Sequence, residues 1–244
     1  MKPIVITLIS FLLATSASAE VQKKDVDITT SDGVTLKATY YSPGRPGPAM
    51  LLLHQCNMDR HAWDTLAADL AGAGIHVVAV DYRGYGESGG EKITDQAQRR
   101  EMMQRKWPGD IDAAYEFLMS QKDVDKAHVA AGGASCGVTQ SSNLATRHHE
   151  IKTLMVLSGS ATDATKAYVA ETASLAVFGA ASDADGSAAQ SIKDIVEASK
   201  NPHSTVKIYG GSEHGVPMFA KNPELEPIIV NWLKARLAVK GSTE

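Results

Sequence analysis

Val129-Ala130-Ala131-Gly132-Gly133-Ala134-Ser135-Cys136-Gly137-Val138 decides how this chain is read. An apolar β-rich run, His128 to Ala131, leads into it, and a helical pattern, Cys136 to His148, leads out. The G-x-S-x-G of Gly133 to Gly137 therefore lies directly between a strand and a helix. A sharp turn at that point lifts the Ser135 hydroxyl out at the C-terminal edge of a sheet, and glycines on either side remove Cβ atoms that would collide there. A serine hydroxyl is a poor nucleophile until a base takes its proton, so this reading predicts a downstream histidine held by a carboxylate. Gly210-Gly211-Ser212-Glu213-His214-Gly215 follows the last predicted strand and puts His214 on a loop at the same edge.

The carboxylate has two candidates. The strand Leu175 to Phe178 runs into Gly179-Ala180-Ala181-Ser182-Asp183-Ala184-Asp185-Gly186. Either Asp183 or Asp185 could reach the far nitrogen of His214, and the other is expected to cap the helix starting near Ser187.

Outward from this stretch the chain alternates between strand and helix. Val26 to Thr30 and Val34 to Tyr41 are β-rich runs split by Ser31-Asp32-Gly33, a hairpin signal. Ala49 to His54 is an apolar run that suits a strand buried on both faces. A helical pattern at His61 to Ala73 ends at Gly74 and is followed by the strand Ile75 to Val80. Helices are expected at Asp95 to Lys106, Pro108 to Ser120, Ser187 to Ser199 and Pro223 to Leu237. Further strands are expected at Lys152 to Leu157 and Thr205 to Tyr209. Such alternation predicts an α/β fold: a mostly parallel sheet with helices on both faces and an antiparallel N-terminal hairpin, as one domain over residues 20–244.

Composition agrees. The 244 residues are 43% hydrophobic and 21% charged, with 20 Gly and 9 Pro, which excludes a disordered, collagen-like or small disulfide-stapled chain. The formal charge of −4 supplies no general field for nucleic acid or anionic lipid. The one dense basic stretch, Arg99, Arg100, Arg105 and Lys106, reads as a solvated helix face. Met1-Lys2, the apolar run Ile4 to Ala14, and Ala17-Ser18-Ala19 before Glu20 read as a secretory signal peptide over residues 1–19, cleaved near Ala19/Glu20. The apolar run is too short to span a bilayer. A periplasmic or secreted product is expected, in a compartment that permits disulfides. His148 and His149 diverge around a helix and have no ligand at metal-binding spacing, so no metal site is expected. Asp81 with Glu87, and Asp110 with Asp112, fit turn and helix-start roles better than paired-carboxylate catalysis.

The order serine, acid, histidine on this alternation resembles the α/β-hydrolase superfamily, in particular its small, lidless dienelactone-hydrolase-like and serine-esterase members. Two more stretches carry the resemblance. Leu51-Leu52-Leu53-His54 enters what would be the oxyanion loop, and Asp81-Tyr82-Arg83-Gly84-Tyr85-Gly86-Glu87-Ser88 is similar to the family's D-x-R-G-x-G-x-S. Ser182-x-x-Asp185 followed by Gly186 resembles the family's acid turn, which favours Asp185 over Asp183. The resemblance implies that the backbone N–H groups of Cys136 and Cys56 hold the oxyanion and that His54 is structural. Gln55 stands where the family usually has glycine. The same analogy brings both cysteines to the oxyanion hole, which implies a Cys56–Cys136 disulfide. A Cys136 nucleophile, as in dienelactone-type enzymes, would need small residues at Ala134 and Val138; the glycines flank Ser135 instead.

The interval Ser158 to Ser174 leaves no room for a large cap domain. Met58, Trp63, Met102, Met103, Trp107 and Met218 read as core before they read as an acyl pocket. Together these features predict hydrolysis of small-molecule carboxylic esters by Ser135, His214 and Asp185, with no cofactor. A peptidase, thioesterase or dienelactone-type hydrolase with the same triad, or a non-catalytic binding protein on the same fold, are the alternatives.

Overall fold

Ala49, Leu51 and Leu53 pack into one hydrophobic layer and Met50 and Leu52 into another, so the strand that carries them, β3 (Gly47–Leu53), is buried on both faces. The structure, a computed structural model, describes residues 20–238. The segment read as a signal peptide lies outside the described residues.

Around β3 the chain builds β1 (Gln22–Thr29), β2 (Thr35–Ser42), a 3-10 turn (Arg60–Trp63) running into α1 (Asp64–Gly72), β4 (His76–Val80), α2 (Gln96–Arg105) and α3 (Trp107–Ser120). Then follow β5 (Val124–Ala134), α4 (Cys136–Arg147), β6 (Ile151–Leu157), α5 (Asp163–Glu171), β7 (Ala176–Ser182), α6 (Ala188–Ala198), β8 (Thr205–Tyr209), α7 (Met218–Lys221) and α8 (Leu225–Leu237). The eight strands form one sheet in the order β1-β2-β4-β3-β5-β6-β7-β8. β2 runs antiparallel to both its neighbours and every other pairing is parallel. β1, at the edge, is exposed along most of its length and carries Lys23, Lys24, Asp25 and Asp27, charges that discourage pairing with another chain.

Helices cover both faces. One layer holds Trp107, Ile111 and Leu118 of α3, Val138 and Leu144 of α4, and Ile192 and Ile195 of α6. The other holds Leu66 and Leu70 of α1 and Ile229 and Leu233 of α8. α2 buries no side chain, in keeping with its basic composition.

Two helices lie where the sequence shows no clear pattern. α5 falls within Ser158 to Ser174 and buries only Thr165 and Val169, one helical turn apart; Thr162 caps it by accepting from the Thr165 N–H at 3.2 Å. It adds one short helix and no cap domain. α7 is a single turn. β5 extends beyond the expected His128 to Ala131 because its start pairs with β3 through a register shift between Gly47 and Ala49.

Candidate active site

Parallel pairing of β5, β7 and β8 brings the C-terminal ends of these strands to one edge, and the loops that leave them carry Ser135, Asp185 and His214. Ser135 sits between β5 and α4 at φ 54°, ψ −119°, a conformation that a non-glycine residue adopts only under strain. Its N–H donates to the Leu157 carbonyl at 2.9 Å, and its carbonyl accepts from the Val138 N–H at 3.0 Å. A Cβ on Gly133 would lie 2.3 Å from the Gly137 carbonyl oxygen, and one on Gly137 2.2 Å from that of Leu53. Any side chain at either position would push the serine off its turn.

His214 points Nδ1 at Asp185, 2.9 Å from one carboxylate oxygen and 2.8 Å from the other. Nδ1 must carry the proton to donate there, which leaves Nε2 as the acceptor. The Asp185 side chain is 13% exposed and that of His214 43%, so the carboxylate stands behind a ring that opens to solvent. Among the described residues Asp183 makes no hydrogen bond or ion pair with His214. Its carboxylate accepts from the Gly211 N–H at 3.0 Å, and backbone bonds from Asp183 to Tyr209 and from Ala184 to Gly211 lock the two loops together. Nor does it cap α6, whose N-cap Ser187 makes no side-chain cap bond. Reaching back across to the β8 loop leaves Asp183 turned away from the helix that follows.

Ser135, Cys136 and His214 line one cavity of about 300 Å³, together with Met103 and the hydroxyls of Thr139, Ser160, Ser187 and Ser191. Of the apolar residues named above, Trp63, Trp107 and Met218 are core, while Met103 reaches the cavity.

Cys56 and Cys136 form a disulfide, with their Cα atoms 5.9 Å apart. It clamps the loop after β3 to the N-terminus of the 12-residue α4, where the helix dipole favours negative charge. Among the described residues neither cysteine N–H donates to a backbone acceptor.

Gln55 explains its own departure from the expected glycine. Buried at 2% exposure, its Oε1 accepts from the Val216 N–H at 2.9 Å and its Nε2 donates to Asn57 at 2.8 Å. Gly215, at φ +71°, gives it room, since a Cβ there would come within 2.3 Å of Gln55 Oε1. The side chain ties the loop of Cys56 to the loop of His214 across 161 residues of sequence. Nothing local in the sequence signals this tie except the missing glycine.

His54 is structural. Its Nδ1–H donates to the Gln55 carbonyl at 2.8 Å, its Nε2 accepts from the Tyr82 N–H at 3.3 Å, and burial holds its pKa below the ordinary histidine value. The D-x-R-G-x-G-x-S stretch is structural as well. Buried Asp81 accepts from the Arg60 backbone N–H at 2.6 Å, from the Arg60 guanidinium, and from the Glu87 N–H at 3.0 Å. Arg83 bridges Asp110 and Asp32, with its Nε 2.7 Å from Asp110. His148 bonds Asp112 while His149 turns to the Thr146 carbonyl. Among the described residues no group of His, Cys, Asp and Glu could hold a metal ion, and no helix is long and apolar enough to cross a membrane.

The sheet, its antiparallel pair and the strand-to-helix serine turn define an α/β-hydrolase. Solved structures share the fold. An esterase from Pyrococcus furiosus, PF2001, aligns at a TM-score of 0.68 over 89% of this chain and 92% of its own, with 20% identity. A predicted CIB-like hydrolase from Thermoplasma acidophilum aligns at 0.70 over 88% of this chain and 100% of its own, with 16% identity. A cold-adapted esterase from an Arctic intertidal metagenomic library aligns at 0.68 over 94% and 100%, with 19% identity.

The particular family follows from sequence. The model described as Hydrolase_4, serine aminopeptidase, S33, matches residues 44–182, more than half of the chain, which therefore belongs to this hydrolase family. The match takes in Ser135 and ends before Asp185 and His214. Two uncharacterized Mycobacterium tuberculosis proteins, MT2364 and Rv2307c, are each 35% identical over 124 residues. That stretch is 50% of this chain and 41% of the relatives, so this chain spans about two-fifths of their length.

Proposed function

We propose that the protein hydrolyses carboxylic esters through an acyl-enzyme formed on Ser135. The observation that carries this reading is His214, held by Asp185 through Nδ1 and lining the same cavity as Ser135. His214 Nε2 takes the Ser135 proton as the hydroxyl attacks the ester carbonyl, then gives it to the departing alcohol. Asp185 orients the ring and stabilises the imidazolium. The Cys136 and Cys56 N–H groups receive the charge that develops on the carbonyl oxygen. Water, activated by His214 in the same way, then releases the acid and restores the serine. No step requires a cofactor.

The family description favours a second reading, an aminopeptidase. Such an enzyme must hold a peptide's N-terminal ammonium, for which a carboxylate at the site is the natural partner. Among the described residues no Asp or Glu lines the cavity at Ser135 or the one adjoining it, and this favours esters. Residues 20–244 are proposed to act as one domain released from the 1–19 signal peptide, outside the cytoplasm, a location that the disulfide supports.

The test is the intact mass of the protein before and after a fluorophosphonate, with the adduct mapped, together with profiling on esters and on aminoacyl anilides. One adduct on Ser135, and a loss of at least about a thousandfold in ester kcat/KM on Ser135→Ala, are expected. No adduct on folded protein would overturn the reading, and preferential cleavage of the anilides would shift it to the aminopeptidase.

A further inference from the structure

The catalytic cavity does not end at Ser135. Met103 and Thr139 line it and also line a second cavity, of about 260 Å³, so the two adjoin between α2 and α4. The second cavity differs in chemistry from the first. Among the described residues it is lined by one charged side chain, Arg100, beside the amides of Gln104, Gln140 and Asn143, and by no acid. Its neighbours in the basic stretch are engaged: Lys106 pairs with Asp32 at 3.3 Å, Arg105 with Glu101 at 3.6 Å, and Arg99 donates to the Thr94 carbonyl. Arg100 has no ion pair or hydrogen bond among the described residues. Asn143 uses its Oδ1 to accept from the Thr165 hydroxyl at 2.8 Å, which leaves both Nδ2 protons free, and Gln140 spends its Nε2 on the Met103 carbonyl. An unpaired guanidinium beside a free amide donor matches the planar, two-oxygen geometry of a carboxylate. The hydroxyls of the first cavity are neutral and neither repel nor demand such a charge.

We propose that the substrates are esters bearing a carboxylate on an arm remote from the scissile bond, and that the cavity of Arg100 and Asn143 holds this carboxylate while Ser135 attacks the ester. This rests on the ester reading above and narrows it to half-esters of dicarboxylic acids and esters of similar charge. The arm must pass over Met103 and Thr139, so a carboxylate directly next to the ester carbonyl would not reach.

The experiment compares two p-nitrophenyl esters of similar length, the butyrate and the hydrogen glutarate, in wild type, Arg100→Gln and Arg100→Glu. The readout is the ratio of kcat/KM for the anionic ester to that for the neutral one. Removing an exposed charge-assisted contact is expected to lower this ratio about fivefold in Arg100→Gln, and more in Arg100→Glu, mostly through KM. Added salt is expected to lower it in wild type and to leave Arg100→Gln nearly flat. A ratio that is the same in all three proteins overturns the proposal while leaving the ester reading intact. If neither ester is turned over, the ester reading has failed, and the subsite is tested directly by titrating glutarate into isotope-labelled protein. Shifts at the Arg100 Nε and Asn143 side-chain amide signals, lost in Arg100→Gln, would sustain the carboxylate site, and their absence would end it.

Discussion

Replacing Cys56 and Cys136 together by serine opens a loop of 80 residues and unclamps the two backbone N–H groups proposed to hold the oxyanion. The chain-entropy relation for a loop of that length gives about 4.5 kcal/mol of lost stability at 25 °C. For a chain of this size each kcal/mol moves the melting temperature by about 2–4 °C, so a fall of about 9–18 °C is expected by circular dichroism. Activity should suffer separately from stability. One oxyanion donor is worth about 10²- to 10³-fold in kcat, and a loop that holds Cys56 only part of the time should forfeit about tenfold at a temperature where both proteins are folded. Gln55 remains to tether that loop through Val216, which limits the loss. Mild reduction of the wild type should reproduce both effects and reverse on reoxidation, with intact mass following the gain of two hydrogens. A melting temperature within about 3 °C of wild type together with unchanged kcat would refute the reasoning, since the loops would then be held without the bond.

Asp185→Asn should lower kcat by about 10³- to 10⁴-fold because a neutral amide cannot stabilise the imidazolium and can donate to Nδ1, which favours the wrong tautomer, whereas Asp183→Asn, which can still accept from Gly211, should stay within about threefold; equal losses would show that the pairing with His214 is not what matters. Gln55→Ala leaves the Val216 N–H unpaired and lets the His214 loop drift, so steady-state kinetics should show kcat down about tenfold with KM nearly unchanged, and Gln55→Glu, which keeps an acceptor, should recover most of it. Folding holds His54 neutral below its ordinary pKa, while the unfolded chain protonates it near about 6.5. The unfolded state therefore binds more protons below that value, and stability should fall as pH drops from about 7 to about 5, by up to about 1.4 kcal/mol per unit. A His54→Gln variant should flatten that part of the melting curve against pH, and an unchanged slope would count against the assignment.

The features legible in the sequence are the local ones. The apolar run of β3, the turn at Ser135 and the loop placement of His214 depend on residues close together in the chain, and the turn tolerates no Cβ at Gly133 or Gly137. α5 was not legible because its burial rests on Thr165 and Val169 alone, too little to show a helical period.

Amino-acid order alone determined the alternation of strands and helices, and with it the edge on which the serine, the acids and the histidine gather, because hydrophobic period and right-handed crossovers admit few other arrangements. Tertiary structure decided the rest. Asp185 rather than Asp183 meets His214 because the β7 and β8 loops are locked by bonds between their backbones. Gln55 bridges two loops, and Arg100 joins the cleft while its basic neighbours find partners elsewhere. Each of these turns on a distance of a few ångströms between residues far apart in the chain, and such distances come into being only when the sheet has formed.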